Sequence, residues 1–301
     1  MRYQRTSLAV GSAALGAGYV VARRDRPPWI ESKRPGRRAG RLHVTVVGDG
    51  PPLLLLHGLV GSGRFWGAEY DVLARNYRLV VPDLLGFGQS DRPDHGYGRD
   101  DHADAVIEGL DALGITEPAI VGAHSLGTVI ALRLAARHPQ RVARITAFGP
   151  PLYRDRAAAK MRIGAASPMA KLFVLPGSIA ERSCEWVCAH RRTFARVAQL
   201  SHPRLPPALA ADAVEHTWRS YSETLDRCLL TGDPAADLSG IRVPVRLIAG
   251  DHDRVVDHDF LREAVTARPE IGFEVWKGDH RLPLTAPARC IAELARRDNI
   301  Y

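Results

Sequence analysis

The segment Pro118-Ala119-Ile120-Val121-Gly122-Ala123-His124-Ser125-Leu126-Gly127-Thr128 joins a predicted strand to a predicted helix. Ala119 to Val121 is a short apolar run bounded by proline and glycine, which is typical of a buried strand. A serine at so abrupt a turn has a strained backbone and a raised hydroxyl. Chains that cross closely there need small residues two positions before and after the serine, and Ala123 and Gly127 meet this need. The alternative is a Ser-Gly turn that begins an ordinary helix.

Strands and helices alternate on both sides of this segment. Apolar runs predict further strands at 42–46, 53–56, 78–81, 142–148, 243–249 and 273–276, and helical spacing predicts helices at 65–75, 101–113 and 284–297. Between 152 and 240 the alternation stops, and helical patterns at 161–165, 179–200 and 209–230 replace it. This order indicates an α/β fold with a mostly parallel sheet and helices on both faces. Residues 42–151 and 241–301 form its core, and residues 152–240 (the inserted segment) form a helical cap.

A serine hydroxyl needs a base to attack at neutral pH, and the base needs an acid that orients it. In α/β sheets such groups lie in loops at the carboxyl ends of strands. Two loops that follow strands carry candidates: Asp251, His252 and Asp253 in one, and Asp279 and His280 in the other. His280 follows the last predicted strand and is the favoured base, whereas His252 and His258 fit solvated positions. Asp251 and Asp253 both remain candidates for the acid.

Taken together, these segments resemble the capped branch of the α/β-hydrolase superfamily over about residues 42–301. The resemblance rests on His57-Gly58, the run from Pro82 to Ser90, the turn at Ser125, Gly250-x-x-Asp253 and Gly278-x-His280. It implies a sheet of about eight strands and a triad in the chain order serine, aspartate, histidine. The catalytic residues implied are Ser125, Asp253 and His280. Asp253 is preferred to Asp251 because the family places the acid three residues after the strand-end glycine.

Backbone N–H groups are expected to stabilise the oxyanion that forms in acyl transfer. One donor should be the amide of Leu126, directly after the nucleophile, and the resemblance assigns the other to Leu59. The His57-Gly58 pair has an alternative interpretation as a tight turn, and His124 is expected to pack or hydrogen-bond locally rather than act as the base. The candidate substrate-binding residues are His57, Gly58, Val60, His124 and Trp218.

The resemblance implies a cofactor-free serine hydrolase that cleaves apolar carboxylic esters through an acyl-enzyme intermediate. A carbon–carbon bond hydrolase and a haloperoxidase-type enzyme remain alternatives because the same triad serves both. Serine at position 125 argues against the dehalogenase and epoxide-hydrolase branches, which require aspartate there. A ligand receptor or inactive scaffold is the alternative from another class, but all three triad positions are filled.

The formal charge of +8 comes from the first 41 residues. Residues 1–41 contain ten Lys/Arg and two acidic residues, whereas the remaining 260 residues contain 31 of each sign. The basic residues thus belong to a tail and not to the folded body. We therefore predict no nucleic-acid partner.

The same tail contains an uncharged run, residues 6–22, that is rich in Ala, Gly and Val. Three interpretations stay open: a membrane anchor, an export or organelle-targeting peptide cleaved near Ala22, and a disordered tail. Because the heavier basic flank follows the run, an inserted anchor would leave the body of the protein in the cytoplasm. We predict a cytoplasmic enzyme that associates with a membrane surface through residues 1–41.

The four cysteines, at positions 184, 188, 228 and 290, do not have the spacing of metal ligands. Cys184 and Cys188 lie four residues apart on a predicted helix, where their side chains can meet, and we interpret them as small buried hydrophobic residues. The sequence also lacks a phosphate-binding loop and a dinucleotide fingerprint, so no cofactor or metal is predicted.

Overall fold

The computed structural model describes residues 29–166, 170–171, 178–201, 205–266, 268 and 270–296. The predicted anchor or targeting run at 6–22 lies outside these residues, and so does Phe173, one of the aromatic residues of the inserted segment. Within the described residues, no helix combines the length and the apolar character that crossing a membrane requires.

Eight strands form one sheet within the described residues. They are β1 (Gly36–Ala39), β2 (Leu42–Val47), β3 (Pro52–Leu56), β4 (Arg78–Pro82), β5 (Ala119–His124), β6 (Val142–Phe148), β7 (Val245–Gly250) and β8 (Ile271–Trp276). Their order across the sheet is β1-β2-β4-β3-β5-β6-β7-β8. β2 is antiparallel to both β1 and β4, and every other pair is parallel. The predicted mostly parallel α/β sheet is confirmed.

Helices cover both faces of this sheet. The α-helices are α1 (Arg99–Ala112), α2 (Leu126–Arg137), α3 (Arg156–Gly164), α4 (Ser178–Ala189), α5 (Arg191–Ser201), α6 (Pro207–Asp212), α7 (Trp218–Thr224), α8 (Pro234–Gly240), α9 (His258–Thr266), α10 (Leu282–Thr285) and α11 (Pro287–Ala295). Shorter 3₁₀ segments span Gly63–Phe65, Ala68–Arg75 and Pro139–Arg141, and a π-helical turn spans Leu225–Leu230.

The alternation of side chains along β3 explains why both faces are covered. Leu54 and Leu56 pack into one apolar cluster with residues of α1 and α2. Leu53 and Leu55 point to the opposite face and pack into a second cluster with Trp66 and with residues of α11. A strand buried on both faces reads as a continuous apolar run, which is the pattern of 53–56 in the sequence.

The sheet begins earlier than the sequence predicted. The predicted tail extended to residue 41, but β1 lies within it and pairs with β2 through Gly36↔Thr45 and Ala39↔Leu42. Gly40 adopts a φ of 58°, which allows the tight two-residue connection between these antiparallel strands. The boundary between tail and core therefore precedes β1.

Several predicted helices are divided in the structure. The predicted helix at 65–75 is a 3₁₀ segment over Ala68–Arg75, preceded by another at Gly63–Phe65, and the predicted helix at 179–200 breaks between α4 and α5. The pattern at 209–230 contains α6, α7 and the π-helical turn, because Thr217 caps a new helix by accepting a hydrogen bond from the Ser220 amide. Pro287 likewise begins α11 as a separate helix.

Candidate active site

Ser125 occupies the turn between β5 and α2. Its backbone has a φ of 51° and a ψ of −120°, a combination that a non-glycine residue rarely adopts. Although Ser125 is the N-cap residue of α2, its side chain makes no capping hydrogen bond. The hydroxyl instead donates to Nε2 of His280 across 3.0 Å. The serine is therefore not an ordinary helix cap, which was the alternative interpretation of the sequence.

Gly127 permits the close chain crossing beneath this turn. A methyl group at Gly127 would lie 2.6 Å from the carbonyl oxygen of Leu56 and 2.9 Å from that of His57, and both oxygens belong to the backbone. Neither could move without displacing β3 and the loop that follows it. The small residue two positions after the serine is thus required for packing, as the sequence predicted.

Three polar side chains form one continuous chain of hydrogen bonds. His280 donates from Nδ1 to Oδ2 of Asp253 across 2.8 Å, and its Nε2 accepts from the Ser125 hydroxyl. Asp253 also accepts at Oδ1 from the amides of Val255 and Val256. Burial raises the pKa of Asp253, but the hydrogen bond and charge of His280 and the two amides outweigh it, so the pKa lies below its usual value. Asp253 is therefore ionised at neutral pH.

The second candidate acid, Asp251, has different partners. Its carboxylate is exposed and accepts hydrogen bonds from Nδ1 of His252 and from the Gly278 amide. These contacts join the loop after β7 to the loop after β8. His258 also serves the fold, since its ring bonds the carbonyl of Gly250. Of the two aspartates, the structure thus brings Asp253 to the histidine.

Gly149, which the sequence analysis did not identify, lies against the histidine and the aspartate. It follows β6 with a φ of 62°. A methyl group there would lie 2.9 Å from Nδ1 of His280 and 3.3 Å from Oδ2 of Asp253. The signal that could have revealed it is a glycine directly after a buried strand, in the same position relative to β6 as the serine turn relative to β5.

The two predicted oxyanion donors lie in segments beside the serine. Leu126 is the first residue of α2, where amides have no acceptor within the helix and the helix dipole is positive. Leu59 follows Gly58, and a methyl group at Gly58 would lie 3.2 Å from Cβ of Ser125. In the turn that follows, the Gly61 amide donates to the Gly58 carbonyl, and Val60 has a φ of 54°.

His57 was predicted to bind substrate, but the structure gives it a different role. The ring is fully buried, Nε2 accepts from the Leu84 amide and Nδ1 donates to the Gly58 carbonyl, both across 2.8 Å. Burial lowers the pKa of His57, which agrees with the neutral ring that these bonds require. His57 thus holds the Gly58 turn in position and has no ring nitrogen left for a ligand.

His124 precedes the nucleophile and contacts the base through its backbone. Its Nε2 donates to the carbonyl of His280 across 2.8 Å, and its ring stacks on Phe65 with centroids 4.4 Å apart. Burial, followed by the charge of His280, lowers the pKa of His124 to about 3, so the ring is neutral. Its Nδ1 is buried, has no hydrogen-bond partner in the described part of the chain, and lies beside Gly58. The hydrogen bonding predicted for this histidine is observed, and its contact with a substrate stays a prediction.

The remaining predicted substrate-binding residues are only partly buried. Val60 packs at the margin of the main apolar cluster, next to Leu59. Trp218 begins α7 and stacks on Tyr221 with ring centroids 6.2 Å apart. These contacts give Trp218 a packing role, and they leave its contact with a substrate a prediction.

The Pro82–Ser90 motif braces the loop beside the site. Asp83 accepts from the amides of Gly63 and Gln89, each across 2.7 Å, and Ser90 donates to the Asp83 carbonyl. These bonds fix the segment that carries Leu84, whose amide holds His57. The motif therefore acts on the serine site through the backbone of its neighbours.

Comparison with known proteins identifies the family. The family described as the alpha/beta hydrolase fold matches residues 51–169. An uncharacterised protein of Mycobacterium tuberculosis is 30% identical over 278 residues, which cover 85% of this chain and 76% of that protein. The chain belongs to the α/β-hydrolase superfamily. In this α/β-hydrolase, the hydrogen-bonded residues Ser125, Asp253 and His280 follow one another along the chain, and their catalytic roles stay a prediction.

Two further relatives of this α/β-hydrolase differ in reaction. An esterase of Rhodococcus has a structure that superposes with a TM-score of 0.64 at 26% identity, and the match covers 84% of this chain and 92% of the esterase. A 2-hydroxymuconate semialdehyde hydrolase of Pseudomonas is 43% identical over 113 residues, or 36% of this chain and 40% of that enzyme. The fold indicates a hydrolase, and these relatives do not agree on its substrate.

Proposed function

We propose that this protein is a serine hydrolase that cleaves apolar carboxylic esters without a cofactor. The observation that carries the proposal is the hydrogen-bond chain from Ser125 through His280 to Asp253, with distances of 3.0 and 2.8 Å. A serine with this partner, on a turn that keeps its hydroxyl off the helix terminus, has the features of an activated nucleophile. The similarity to the Rhodococcus esterase supports an ester as the substrate.

In the proposed acylation step, the Ser125 oxygen attacks the ester carbonyl carbon while its proton passes to Nε2 of His280. Asp253 keeps the Nδ1 proton of the histidine in place and stabilises the imidazolium that forms. The amides of Leu126 and Leu59 donate to the negatively charged oxygen of the tetrahedral intermediate. Collapse of the intermediate breaks the carbon–oxygen bond, and His280 returns the proton to the departing alcohol.

Deacylation reverses the roles. Water attacks the acyl-serine, His280 takes a proton from that water, and the second tetrahedral intermediate releases a carboxylic acid and the free Ser125 hydroxyl. His57 and the Pro82–Ser90 motif contribute by holding the Gly58 turn and not by contacting the reacting atoms. The reaction therefore needs only the triad, the two amides and water.

Labelling with a fluorophosphonate tests the nucleophile, and hydrolysis of a p-nitrophenyl ester series of graded chain length tests the substrate class. We expect wild-type protein to be labelled once, and Ser125→Ala to lose both labelling and about 10³-fold or more of its ester hydrolysis. Ser239→Ala, at an exposed serine of α8, is the control and should behave as wild type. Turnover retained by Ser125→Ala would refute the mechanism.

Carbon–carbon bond hydrolysis is the second candidate, favoured by the similarity to the Pseudomonas semialdehyde hydrolase. It would use the same three side chains on a vinylogous diketone. Wild-type protein that is labelled by the fluorophosphonate and turns over such a diketone, but hydrolyses no ester in the series, would replace the ester proposal by this one.

A further inference from the structure

Three side chains with metal-binding atoms meet in the inserted segment, away from the triad loops. Cys184 and Cys188 lie one turn apart on α4, and His216 lies in the segment that precedes α7. Their ligand atoms all lie within 4.8 Å of one another. Cys184 and His216 are buried, and Cys188 is partly buried. Among the cysteine, histidine, aspartate and glutamate side chains of the described residues, these three form the group whose spacing could hold a metal ion.

We propose that Cys184, Cys188 and His216 bind a zinc ion. In tetrahedral zinc sites the metal lies ~2.3 Å from sulfur and ~2.0 Å from nitrogen, so two sulfur ligands lie ~3.8 Å apart and a sulfur and a nitrogen ligand ~3.5 Å apart. The Cys184 and Cys188 sulfurs are 3.8 Å apart, and the Cys184 sulfur is 3.5 Å from Nε2 of His216. Two of the three separations thus match the edges of the tetrahedron, and the third, between Cys188 and His216, lies within 4.8 Å.

The donor set selects the type of metal. Thiolates favour Zn²⁺ and Cu⁺ over Mg²⁺ and Ca²⁺, and an imidazole suits zinc. Two cysteines, one histidine and a water complete a four-coordinate zinc site. The sulfur separation of 3.8 Å is that of two separate ligands and is well beyond the ~2.05 Å of a disulfide bond. Closing a disulfide would therefore require both side chains to move.

Backbone and charged groups beside the cluster contact its members. The Cys188 thiol donates to the His216 carbonyl across 3.3 Å, and Arg191 donates to the same carbonyl across 3.3 Å. Zinc binds thiolates and a neutral imidazole, so binding would release the thiol protons and break the bond from Cys188 to that carbonyl.

The other nitrogen of His216 is available for an outer contact. Nδ1 is buried and has no hydrogen-bond partner in the described part of the chain. When Nε2 binds a metal, the N–H on Nδ1 usually donates to a carboxylate, a carbonyl or a water. A bound zinc would connect α4 to the segment before α7, so it would fix the arrangement of the inserted segment without taking part in the triad chemistry.

Cobalt substitution tests the site because Co²⁺ bound to thiolates in a tetrahedral site gives strong charge-transfer and visible absorption. Full-length, reduced protein would be stripped of metal and titrated with Co²⁺, and Zn²⁺ would then be added. We expect saturation at one cobalt per chain, with thiolate charge-transfer bands that zinc removes by displacement. Bound zinc should raise the Tm by about 5 °C at a hundredfold excess over its Kd.

Variants separate this site from adventitious binding. Cys184→Ala and Cys188→Ala keep small apolar side chains, and we expect each to weaken cobalt binding by more than about 100-fold, beyond the 10- to 100-fold loss typical of an outer partner. His216→Phe, which keeps a ring, should do the same. Cys228→Ala is the matched control, since Cys228 is also buried in the inserted segment but lies outside the cluster and bonds the Tyr97 carbonyl.

Several outcomes would overturn the proposal. One is the absence of thiolate-to-cobalt bands in folded, reduced wild-type protein. This result would count against the site even if the two cysteines form a disulfide on oxidation. Another is a Cys228→Ala variant that loses binding as fully as Cys184→Ala. The third is cobalt binding that survives in both Cys184→Ala and Cys188→Ala. Because the readouts are absorption and thermal stability, none of these results depends on whether the protein hydrolyses esters.

Discussion

The hydrogen-bonded residues Ser125, His280 and Asp253 lie where neighbouring strands of the core end, whereas the contacts of the inserted segment join residues without a regular spacing in the sequence. Ser125 follows β5, Gly149 follows β6, Asp253 follows β7 and His280 follows β8, and these four strands are adjacent in the sheet. Adjacent strands are ~4.8 Å apart, so residues at their carboxyl ends are held within reach of one another by the ladder itself. The core thus builds its site from sheet register.

The inserted segment instead meets the core through individual tertiary contacts, and two of its aspartates supply ion pairs. Asp237 of α8 binds Arg99 of α1 and Arg133 of α2, the latter across 2.9 Å. Asp212 of α6 binds Arg64 and accepts from the Ser62 hydroxyl across 2.6 Å. These polar pairs act beside apolar contacts, since Leu225, Cys228 and Leu238 of the segment are buried in the main apolar cluster. The candidate site of the core thus follows from the order of the strands, whereas the inserted helices are placed by individual tertiary contacts, both apolar and ionic.

Asp253→Asn should lower activity more than the other substitutions discussed below. An amide at this position cannot balance the imidazolium and favours the wrong histidine tautomer, so we expect ester hydrolysis to fall by about 10³- to 10⁴-fold with the fold intact. Asp251→Asn, in the same loop, should retain most activity because its partners are His252 and the Gly278 amide. The ratio of kcat/KM between the two variants measures the effect, and the reverse ranking would show that the acid has been assigned wrongly.

Gly149→Ala should lower activity by about 10²-fold. The new methyl group would lie 2.9 Å from Nδ1 of His280 and would push the ring from its bond with Asp253. Kinetics on a short ester and thermal unfolding would measure the change in rate and in stability separately.

Gly114→Ala is the matched control for this change. Gly114 has a φ of 66°, close to the 62° of Gly149, but no atom lies within 4 Å of its added methyl group. Both variants therefore share the strain of a left-handed alanine, about 1 kcal/mol, and differ in contact with the triad. Equal losses of activity would show that backbone strain, and not displacement of His280, is responsible.

The difference between the core and the inserted segment explains which parts of the fold and of the candidate site could be predicted from the sequence. Short apolar runs in the sequence predicted the strands of the parallel sheet, because a buried strand has a local apolar pattern. The glycines beside several of these runs then located the serine turn and the loops that contain Asp253 and His280. Gly149 was missed because its role depends on what lies opposite it. His57 was misassigned because only the structure shows that both of its ring nitrogens bond the backbone.

The inserted segment was less predictable for the same reason. Its helical patterns were recognised, but the break at Thr217 depends on the reciprocal capping bonds between Thr217 and Ser220. Cys184 and Cys188 had a visible spacing of four residues, while His216 is 28 residues further along the chain than Cys188 and has no motif that ties it to them. Only tertiary folding brings the three together.

Asp212→Asn tests the attachment of the inserted segment to the core. Burial raises the pKa of Asp212 to about 6, despite its bonds to Ser62 and Arg64. When the pKa of a carboxyl is higher in the folded than in the unfolded protein, its protonated form stabilises the fold. This stabilisation is complete below the pKa of the unfolded protein, near 4, and is lost as the pH rises through the pKa of the folded protein, about 6. Relative to Asp212→Asn, the unfolding free energy of the wild type should therefore fall by up to about 3 kcal/mol between pH 4 and pH 7.

Denaturant unfolding of both proteins at the two pH values measures this difference. Asparagine keeps the volume and the bond from Ser62, so titrations elsewhere in the chain cancel in the comparison. If the difference in unfolding free energy between the two proteins does not change with pH, the ion pair with Arg64 fully offsets the cost of burying Asp212. Asp212 would then be ionised at both pH values and would hold the segment as one half of an ion pair.

The inserted segment should also influence substrate choice, by a smaller factor than the changes above. Trp218 is partly buried, stacks on Tyr221 and packs at the edge of the main cluster, so Trp218→Ala should lower the Tm by a few degrees. If the ring also contacts the acyl chain, the preference for long over short esters should change by about 10-fold, since each methylene buried against it contributes ~0.8 kcal/mol. Trp186→Ala is the control, because that tryptophan also lies in the inserted segment but is 58% exposed. A lower Tm with an unchanged ratio of kcat/KM between long and short esters would make Trp218 a packing residue, and substrate choice would then lie with the core residues Leu59 and Val60.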